Sequence, residues 1–316
     1  GIDMAKKMEF KTAKRDQVYI KAVITGPSGS GKSFSALRVA TGIAEKIGAV
    51  GAGGSKIAYI GSEGTRNNYY ADEFQYDLID LEEFSIDTYM EAVNLAISSG
   101  YKVLIVDSLT HVWTWVNEQV NNEPRMTSFQ AWGKWKPKHR KLMEKILFSP
   151  IHVVATARGK DEYIMEEKSG KQVPKKVGMG AQQDKDIQYE YTVAFMLDQD
   201  SHLAHAEKDN THLFELNEVL TEKSGEKLYE WSIKGDAPAK QRKTTDEVEA
   251  EKLAETKEAI IKRCKELGGQ KNKELMRVLK QYEPKGNPAK IVGLADANEC
   301  LRALEAVEPL KEGKNE

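Results

Sequence analysis

The sequence predicts an α/β fold, with a mostly parallel sheet, helices on both faces, an antiparallel extension and a small helical module at the C-terminal end. Three observations predict it. Short β-branched apolar runs alternate with segments of helical spacing as far as Ala157. These runs are apolar almost throughout rather than at every second position, as expected of strands covered on both faces. Beyond Gly235–Lys243 only helical signatures remain.

Val18–Thr25 (VYIKAVIT) reads as the first strand, ending at a glycine, and Ser33–Ile47 follows with helical spacing through Leu37, Ala40 and Ile43. Lys56–Ile60 (KIAYI) is a second strand and Asp77–Ile79 a short third. Ser85 stands as N-cap of an amphipathic helix over Ile86–Ser99. Lys102–Val106 (KVLIV) and Ile151–Thr156 (IHVVAT) are two further strands, with a helix around Lys138–Phe148 between them. Arg158–Gln188 is polar and glycine-containing and reads as a loop. Tyr189–Leu197, His202–Ala206, His212–Leu216 and Leu228–Ile233 read as strand-like pieces that extend the sheet in antiparallel fashion.

Gly235–Lys243 has the composition of a linker. Thr244-x-x-Glu247 is a capping box opening a long helix that ends at Leu267-Gly268-Gly269, and helices about Lys273–Tyr282 and Asp296–Val307 follow, separated by Pro284 and Pro288. The expected organisation is an N-terminal arm over 1–16, a core over 17–234, a linker over 235–243, a helical interaction module over 244–308 and a disordered tail over 309–316. Gly1-Ile2-Asp3 ahead of Met4 reads as a remnant of expression.

With 316 residues, 40% of them hydrophobic, the chain suffices for one large domain and an appendage. Its 47 basic and 49 acidic residues leave a net charge of −2, so any site for a polyanion must be a local patch. No run approaches the roughly 20 apolar residues of a membrane span, and the lysine-bearing start is no signal peptide. A soluble, cytoplasmic chain without a membrane partner is expected. Cys264 and Cys300 lack metal-ligand spacing and read as structural thiols.

The chemistry is concentrated at one motif. Gly26-Pro27-Ser28-Gly29-Ser30-Gly31-Lys32-Ser33, followed by Phe34, fits G-x-x-x-x-G-K-[ST] between a strand and a helix. Its glycines allow backbone N–H groups to turn inward around phosphates, and the helix adds its positive end. Lys32 is placed for the β- and γ-phosphates and the Ser33 hydroxyl for Mg²⁺. Asp107, at the carboxyl end of Val103–Val106, is the expected acid on the Mg²⁺ side. Because Ser108 follows it, a water-activating acid must come from elsewhere. Glu63 supplies one if the Lys56–Ile60 strand neighbours the phosphate-loop strand. Thr156, at the end of another strand, is expected to sense the γ-phosphate.

This set resembles the core of RecA-like ATPases. Phe129-Gln130-Ala131-Trp132-Gly133, Ser149–Arg158, Tyr189–Val193 and Glu207-Lys208-Asp209 are similar, more narrowly, to phage-encoded RecA-like nucleotide-binding proteins, a group that includes single-strand annealing recombinases. The resemblance spans about residues 17–234. It implies ATP and Mg²⁺ as ligands, an ATPase stimulated by single-stranded DNA in phage recombination or replication, and a homo-oligomeric ring or filament. Lys208 would then act as a cation on the next subunit's nucleotide, with Arg158 a second candidate. The helical module would take up a phage or host replication or recombination protein.

Two segments are candidates for the DNA. Trp113, Trp115, Trp132 and Trp135 lie among Lys134, Lys136, Lys138, Arg140 and Lys141, an interleaving suited to stacking on bases and following a backbone. Arg158, Lys160, Lys175 and Lys176 belong to the glycine-containing segment that the resemblance equates with a DNA-binding loop. Core packing remains open for the tryptophans, and a solvated loop for the second segment, where Asp161, Glu162, Glu166 and Glu167 offset the lysines. Two other function classes also remain open: a nucleotide-gated mediator that loads a partner with little hydrolysis, and a small-molecule kinase.

Overall fold

The computed structural model describes residues 8–181 and 190–311. The chain divides into two compact units, Gly1–Arg242 and Lys243–Glu316.

The first unit contains β1 (Lys21–Gly26), β2 (Ile57–Gly61), β3 (Asp77–Asp80), β4 (Val103–Asp107), β5 (His152–Lys168), β6 (Lys171–Ala181), β7 (Val193–Leu197) and β8 (Ala204–Asp209). Seven strands lie in the order β3-β2-β4-β5-β1-β7-β8, and β6 pairs with β5 outside this path. All pairs along the path are parallel except β7 with β8. The strand β5 stands between the phosphate-loop strand β1 and β4, so the carboxyl ends of those two strands flank its Ala155–Arg158 stretch. This is the arrangement of a RecA-like P-loop core.

Among the described residues five α-helices cover the two faces: α1 (Lys32–Ile47), α2 (Ile86–Ser98), α3 (Thr110–Asn121), α4 (Ser128–Leu147) and α5 (Glu222–Ser232). Successive side chains of a strand point to opposite faces. Ala22 and Ile24 of β1 accordingly join Leu37, Ile43 and Leu228 from α1 and α5, while Val23 joins Val93, Val112 and Leu142 from α2, α3 and α4. Every residue of β1, β2 and β4 is buried, which is why their sequences read as unbroken apolar runs.

Local chemistry sets the helix ends. The Ser85 hydroxyl accepts from the Thr88 N–H at 3.2 Å at the start of α2, and Thr127 and Gln130 form a capping box on α4. Gly31 (φ 90°) and Gly48 (φ 74°) bracket α1 in left-handed conformations that favour glycine.

Several sequence expectations are corrected after Asp107. The helix expected around Lys138–Phe148 begins ten residues earlier, at Ser128, continuing through Pro137, and α3 precedes it. Arg158–Ala181 is no loop, because β5 runs on to Lys168 and returns as β6 in an antiparallel hairpin. Of the four strand-like pieces, the first forms β7, which is parallel to β1, and the second forms β8, the antiparallel strand. His212–Leu216 is not a strand, and Leu228–Ile233 belongs to α5 and its C-cap. The buried positions of α5 are Ser224, Gly225, Leu228 and Ser232, a helical stripe of mostly small polar residues that hydropathy does not register. Residues 235–237 are hydrogen-bonded to the 15–17 segment, so the stretch with linker composition begins as part of the core.

In the second unit, α6 (Thr245–Glu266), α7 (Lys273–Leu279) and α8 (Leu294–Leu304) enclose a separate core that includes Ile260, Leu275, Ile291, Ala297, Cys300 and Leu304. Thr244 and Glu247 form the capping box of α6, and Asn272 caps α7. Both cysteines lie in this unit as free thiols. No helix among the described residues is long and apolar enough to cross a membrane.

The helices α1 and α5 meet through glycines. A Cβ at Gly42 would stand 2.0 Å from the Glu222 carbonyl oxygen, and one at Gly225 would stand 2.0 Å from that of Val39. Gly225→Ala is therefore expected to lower stability by about 1–3 kcal/mol, because backbone must move to admit the methyl group. Gly133→Ala in α4, where the new Cβ meets nothing within 4 Å, should raise stability by about 0.5–1 kcal/mol. Thermal melts of the two variants check this pair of opposite signs.

Candidate active site

The site lies at the carboxyl ends of β1, β2 and β4, beside the Thr156–Arg158 stretch of β5. Ser28, Gly29, Gly31, Lys32, Ser33, Glu63, Arg66, Tyr69, Tyr70, Asp107 and Arg158 line one pocket there. Gly29 (φ 80°) and Gly31 turn the loop that joins β1 to α1. The Lys32 Nζ donates to the Pro27 carbonyl at 3.0 Å. Burial lowers the Lys32 pKa, Asp107 and Glu63 oppose that shift, and Arg158 adds to it.

Asp107 is 3% exposed, and hydroxyls from three elements meet at its carboxylate. Ser33 Oγ of α1 donates to Oδ2 at 2.6 Å, Thr156 Oγ1 of β5 donates to Oδ1 at 2.6 Å, and the Tyr59 phenol of β2 also donates to Oδ2. Burial together with the adjacent carboxylate pushes the Tyr59 pKa upward, which keeps the phenol a proton donor. Such donors replace the water that a buried carboxylate loses.

Glu63 follows β2, but β2 does not neighbour β1, because β4 and β5 intervene. The expected adjacency is therefore wrong, although Glu63 reaches the phosphate-loop pocket all the same. The segment after Gly61 passes across the end of β4, held by Ser62 N–H donating to the Asp107 carbonyl at 2.8 Å. Glu63 Oε2 accepts from Arg158 Nη2 at 3.2 Å, and His111 Nδ1 lies 3.8 Å from Oε1. His111 also meets Ser62 Oγ at 2.7 Å, and burial, joined by Arg158, lowers its pKa against the opposing pull of Glu63 and Asp107.

Other expected residues fall differently. Thr156 is fully buried with its hydroxyl committed to Asp107, so it supports the acid and does not line the pocket. Phe34 packs edge-on against Tyr70 and Phe74, at 5.3 and 5.5 Å between ring centres. Pro27 and Ser30 lie behind the pocket wall; Ser30 is fully buried, and Gly26 ends β1. Arg158 sits in its own chain's site, beside Gly26 in the β1–β5 register.

Lys208 pairs with Ala194, which pairs with Val23, three residues before Gly26. At about 3.3 Å per residue, this sets it roughly 10 Å back from the phosphate loop along an edge strand. Burial lowers its pKa against the pull of Glu190.

The tryptophans join α3 to α4. Trp113 and Trp132 lie 5.5 Å apart, as do Trp115 and Trp135, and all four pack against the core while remaining partly exposed. Glu123 Oε1 accepts from Trp135 Nε1 at 2.7 Å and pairs with Lys134 at 2.6 Å, and Lys138 lies 4.5 Å over the Trp135 ring. Lys136 is half-buried on the same helix. Lys160, Lys175 and Lys176 lie on the β5–β6 hairpin, but their side chains fall outside the described part of the structure, as do residues 182–189.

Sequence reading passed over Tyr59, Ser62, Asn67, His111 and the β7–β8 turn. In that turn Gln199 Nε2 donates to the Ser28 carbonyl at 3.2 Å, and His202 Nδ1 meets that of Ser30 at 2.8 Å. A tyrosine inside the KIAYI run is a usable signal, since a buried phenol needs a partner. The turn gives no local signal, because its partners are more than 170 residues away in the chain.

No curated protein matches the chain. The family model described as an AAA domain matches residues 19–242, a stretch that includes the phosphate loop, the strand ending in Asp107 and every residue of the pocket. With that match over the greater part of its length, and with a phosphate loop set in a RecA-like sheet, the chain belongs to the AAA domain family of nucleotide-binding P-loop ATPases.

Proposed function

We propose that the chain binds Mg²⁺·ATP in this pocket and hydrolyses it with Glu63 as the residue that orients and deprotonates water, in an assembly that acts on single-stranded DNA during phage recombination or replication. The carrying observation is the 2.6 Å contact between Ser33 Oγ and Asp107 Oδ2, with Lys32 and Glu63 lining the same pocket. A hydroxyl and a carboxylate side by side are hard oxygen donors suited to Mg²⁺. Bound there by Ser33 and Asp107, the ion would neutralise charge on the β- and γ-phosphates.

The remaining work falls to the chain's own groups. Lys32 exchanges the Pro27 carbonyl for phosphate oxygens. The backbone N–H groups of Gly29, Gly31, Lys32 and Ser33 would donate to the phosphate oxygens, the Ser30 N–H being held by the Pro27 carbonyl. Tyr69, largely exposed at the pocket rim, and Tyr70 offer ring faces to a base. Glu63 withdraws the proton from the attacking water, and Arg158, released from it, remains near the developing negative charge. Glu63→Gln should retain ATP binding and slow turnover by about 10²–10⁴-fold. Normal turnover in that variant, measured as phosphate release, would remove Glu63 from the mechanism.

One observation favours a second reading, a nucleotide-gated mediator with little hydrolysis: the Glu63 carboxylate is paired with Arg158. In that case the second unit, with its own core, would present the partner surface, and phosphate release would stay low with or without DNA.

Oligomeric action is part of the same reading, with Lys208 as its cation. Its place back along the edge strand supports a role at the nucleotide of a neighbouring copy in a ring or filament rather than at its own. Mixing inactive Lys32→Ala subunits with inactive Lys208→Ala subunits should restore some ATPase activity, since mixed interfaces regain one intact site. No recovery would return Lys208 to a purely local role.

For DNA, the support is the resemblance, the lysines of the β5–β6 hairpin and the cations of α4. The tryptophans are occupied with one another and with Glu123, so backbone charge carries more of this reading than base stacking. Oligonucleotide affinity should fall steeply with added salt, and Lys160, Lys175 and Lys176 changed together to Ala should flatten that dependence by about 0.7 per lost contact. An unchanged salt slope in the triple variant would take the hairpin out of the DNA site.

A further inference from the structure

Between Glu63 and the sheet lies a buried amide that neither the phosphate-loop motif nor the family match assigns. Asn67 is 2% exposed and sits in the 3₁₀ turn Gly64–Asn68 that begins directly after Glu63. Its Oδ1 accepts from the Glu63 backbone N–H at 3.1 Å, and its Nδ2 donates to Asp80 Oδ1 at 2.6 Å. The Tyr76 phenol donates to its carbonyl at 2.6 Å.

These partners dictate the residue type. One end of the side chain faces an N–H and must accept, while the other faces a carboxylate and must donate, so an amide satisfies both and a carboxylate does not. The backbone makes room for it. Gly61 pairs with Asp80 on one side and Asp107 on the other, and a Cβ on Gly61 would stand 2.4 Å from Asn67 Cγ. Glycine at the end of β2 is thus what lets the amide lie against the strand, pinned between the ends of β2 and β3.

We propose that Asn67 is a positioning residue for the hydrolytic step: by fixing the backbone of Glu63 against Asp80, it sets where the Glu63 carboxylate stands relative to the γ-phosphate. This rests on the reading of Glu63 as the water-activating acid. Asn67 does not line the pocket, so on this reading it acts on turnover and leaves nucleotide binding alone. A displacement of about 1 Å in a reacting group is enough to lower a rate about 10²-fold.

The test compares steady-state phosphate release and the affinity of a fluorescent ATP analogue in five full-length chains beside the wild type. Asn67→Asp sets two carboxylates against each other and should lower kcat by about 10²-fold, with KM for ATP and analogue affinity unchanged. Adding Asp80→Asn exchanges donor and acceptor while keeping both hydrogen bonds, and should restore most of the loss. Gly61→Ala displaces the amide without altering any charge and should reproduce the kcat loss, which keeps the test open if Asn67→Asp folds poorly. Placed on Glu63→Gln, Asn67→Asp should lower kcat little further, whereas a merely structural defect would lower it in either background. Wild-type kcat in Asn67→Asp beside a slow Glu63→Gln overturns the inference alone. Normal turnover in Glu63→Gln overturns the base assignment and the inference with it.

Discussion

Three hydroxyls on one buried carboxylate hold this site together. Asp107 lies at the end of β4, and its donors come from α1, β2 and β5, so a single side chain ties the phosphate loop's helix to the strands on either side of β4. Hydrogen bonds to a charged acceptor contribute about 1.5–3 kcal/mol each, and a buried carboxylate without them would be strongly destabilising. The parallel register makes the meeting possible. Gly61 aligns with Asp107, Val106 with Ala155, and Ile24 with Thr156, so the ends of β2 and β4 come level with Thr156 inside β5. On the proposed reading Ser33 and Asp107 would hold the divalent cation, while Thr156 on Oδ1 keeps the carboxylate from turning away.

The same register gives the sheet one functional end. Phosphate loop, Asp107, Glu63 and Arg158 gather at the carboxyl ends of the parallel strands, where loops are free to differ without disturbing the core. The β7–β8 turn reaches back to brace the loop through Gln199 and His202, so the strands beyond β1 also contribute to the pocket's shape. On the other faces, glycines at the α1–α5 contact bring backbones together, and paired indoles join α3 to α4. The tryptophan cluster that looked in sequence like a stacking platform serves at least partly as packing.

What could be read from the sequence was what local physics determines. Strands buried on both faces announce themselves as apolar runs, and a loop that must turn around phosphate needs glycines at fixed spacing. The capping box at Thr244 and the N-cap Ser85 of α2 belong to the same class. Hidden features depended on remote partners. The stripe of α5 is made of serines and a glycine because it lies against the backbone of α1, and no hydropathy period reveals that. The strand β6 pairs with the far part of β5 off the seven-strand path, and this polar, glycine-containing stretch reads in sequence as a loop. Glu63 was found through its place after a strand, but by a wrong adjacency; its true route, across the end of β4, rests on Ser62 and Asn67, whose roles appear only in three dimensions.

The most direct test of this account measures nucleotide affinity with and without Mg²⁺ in the wild type, Ser33→Ala and Asp107→Asn. The account predicts that Mg²⁺ tightens ATP binding to the wild type and that each substitution removes most of that gain, while affinity without Mg²⁺ changes little. Mg²⁺-independent binding in the wild type, or an undiminished Mg²⁺ effect in both variants, would contradict it.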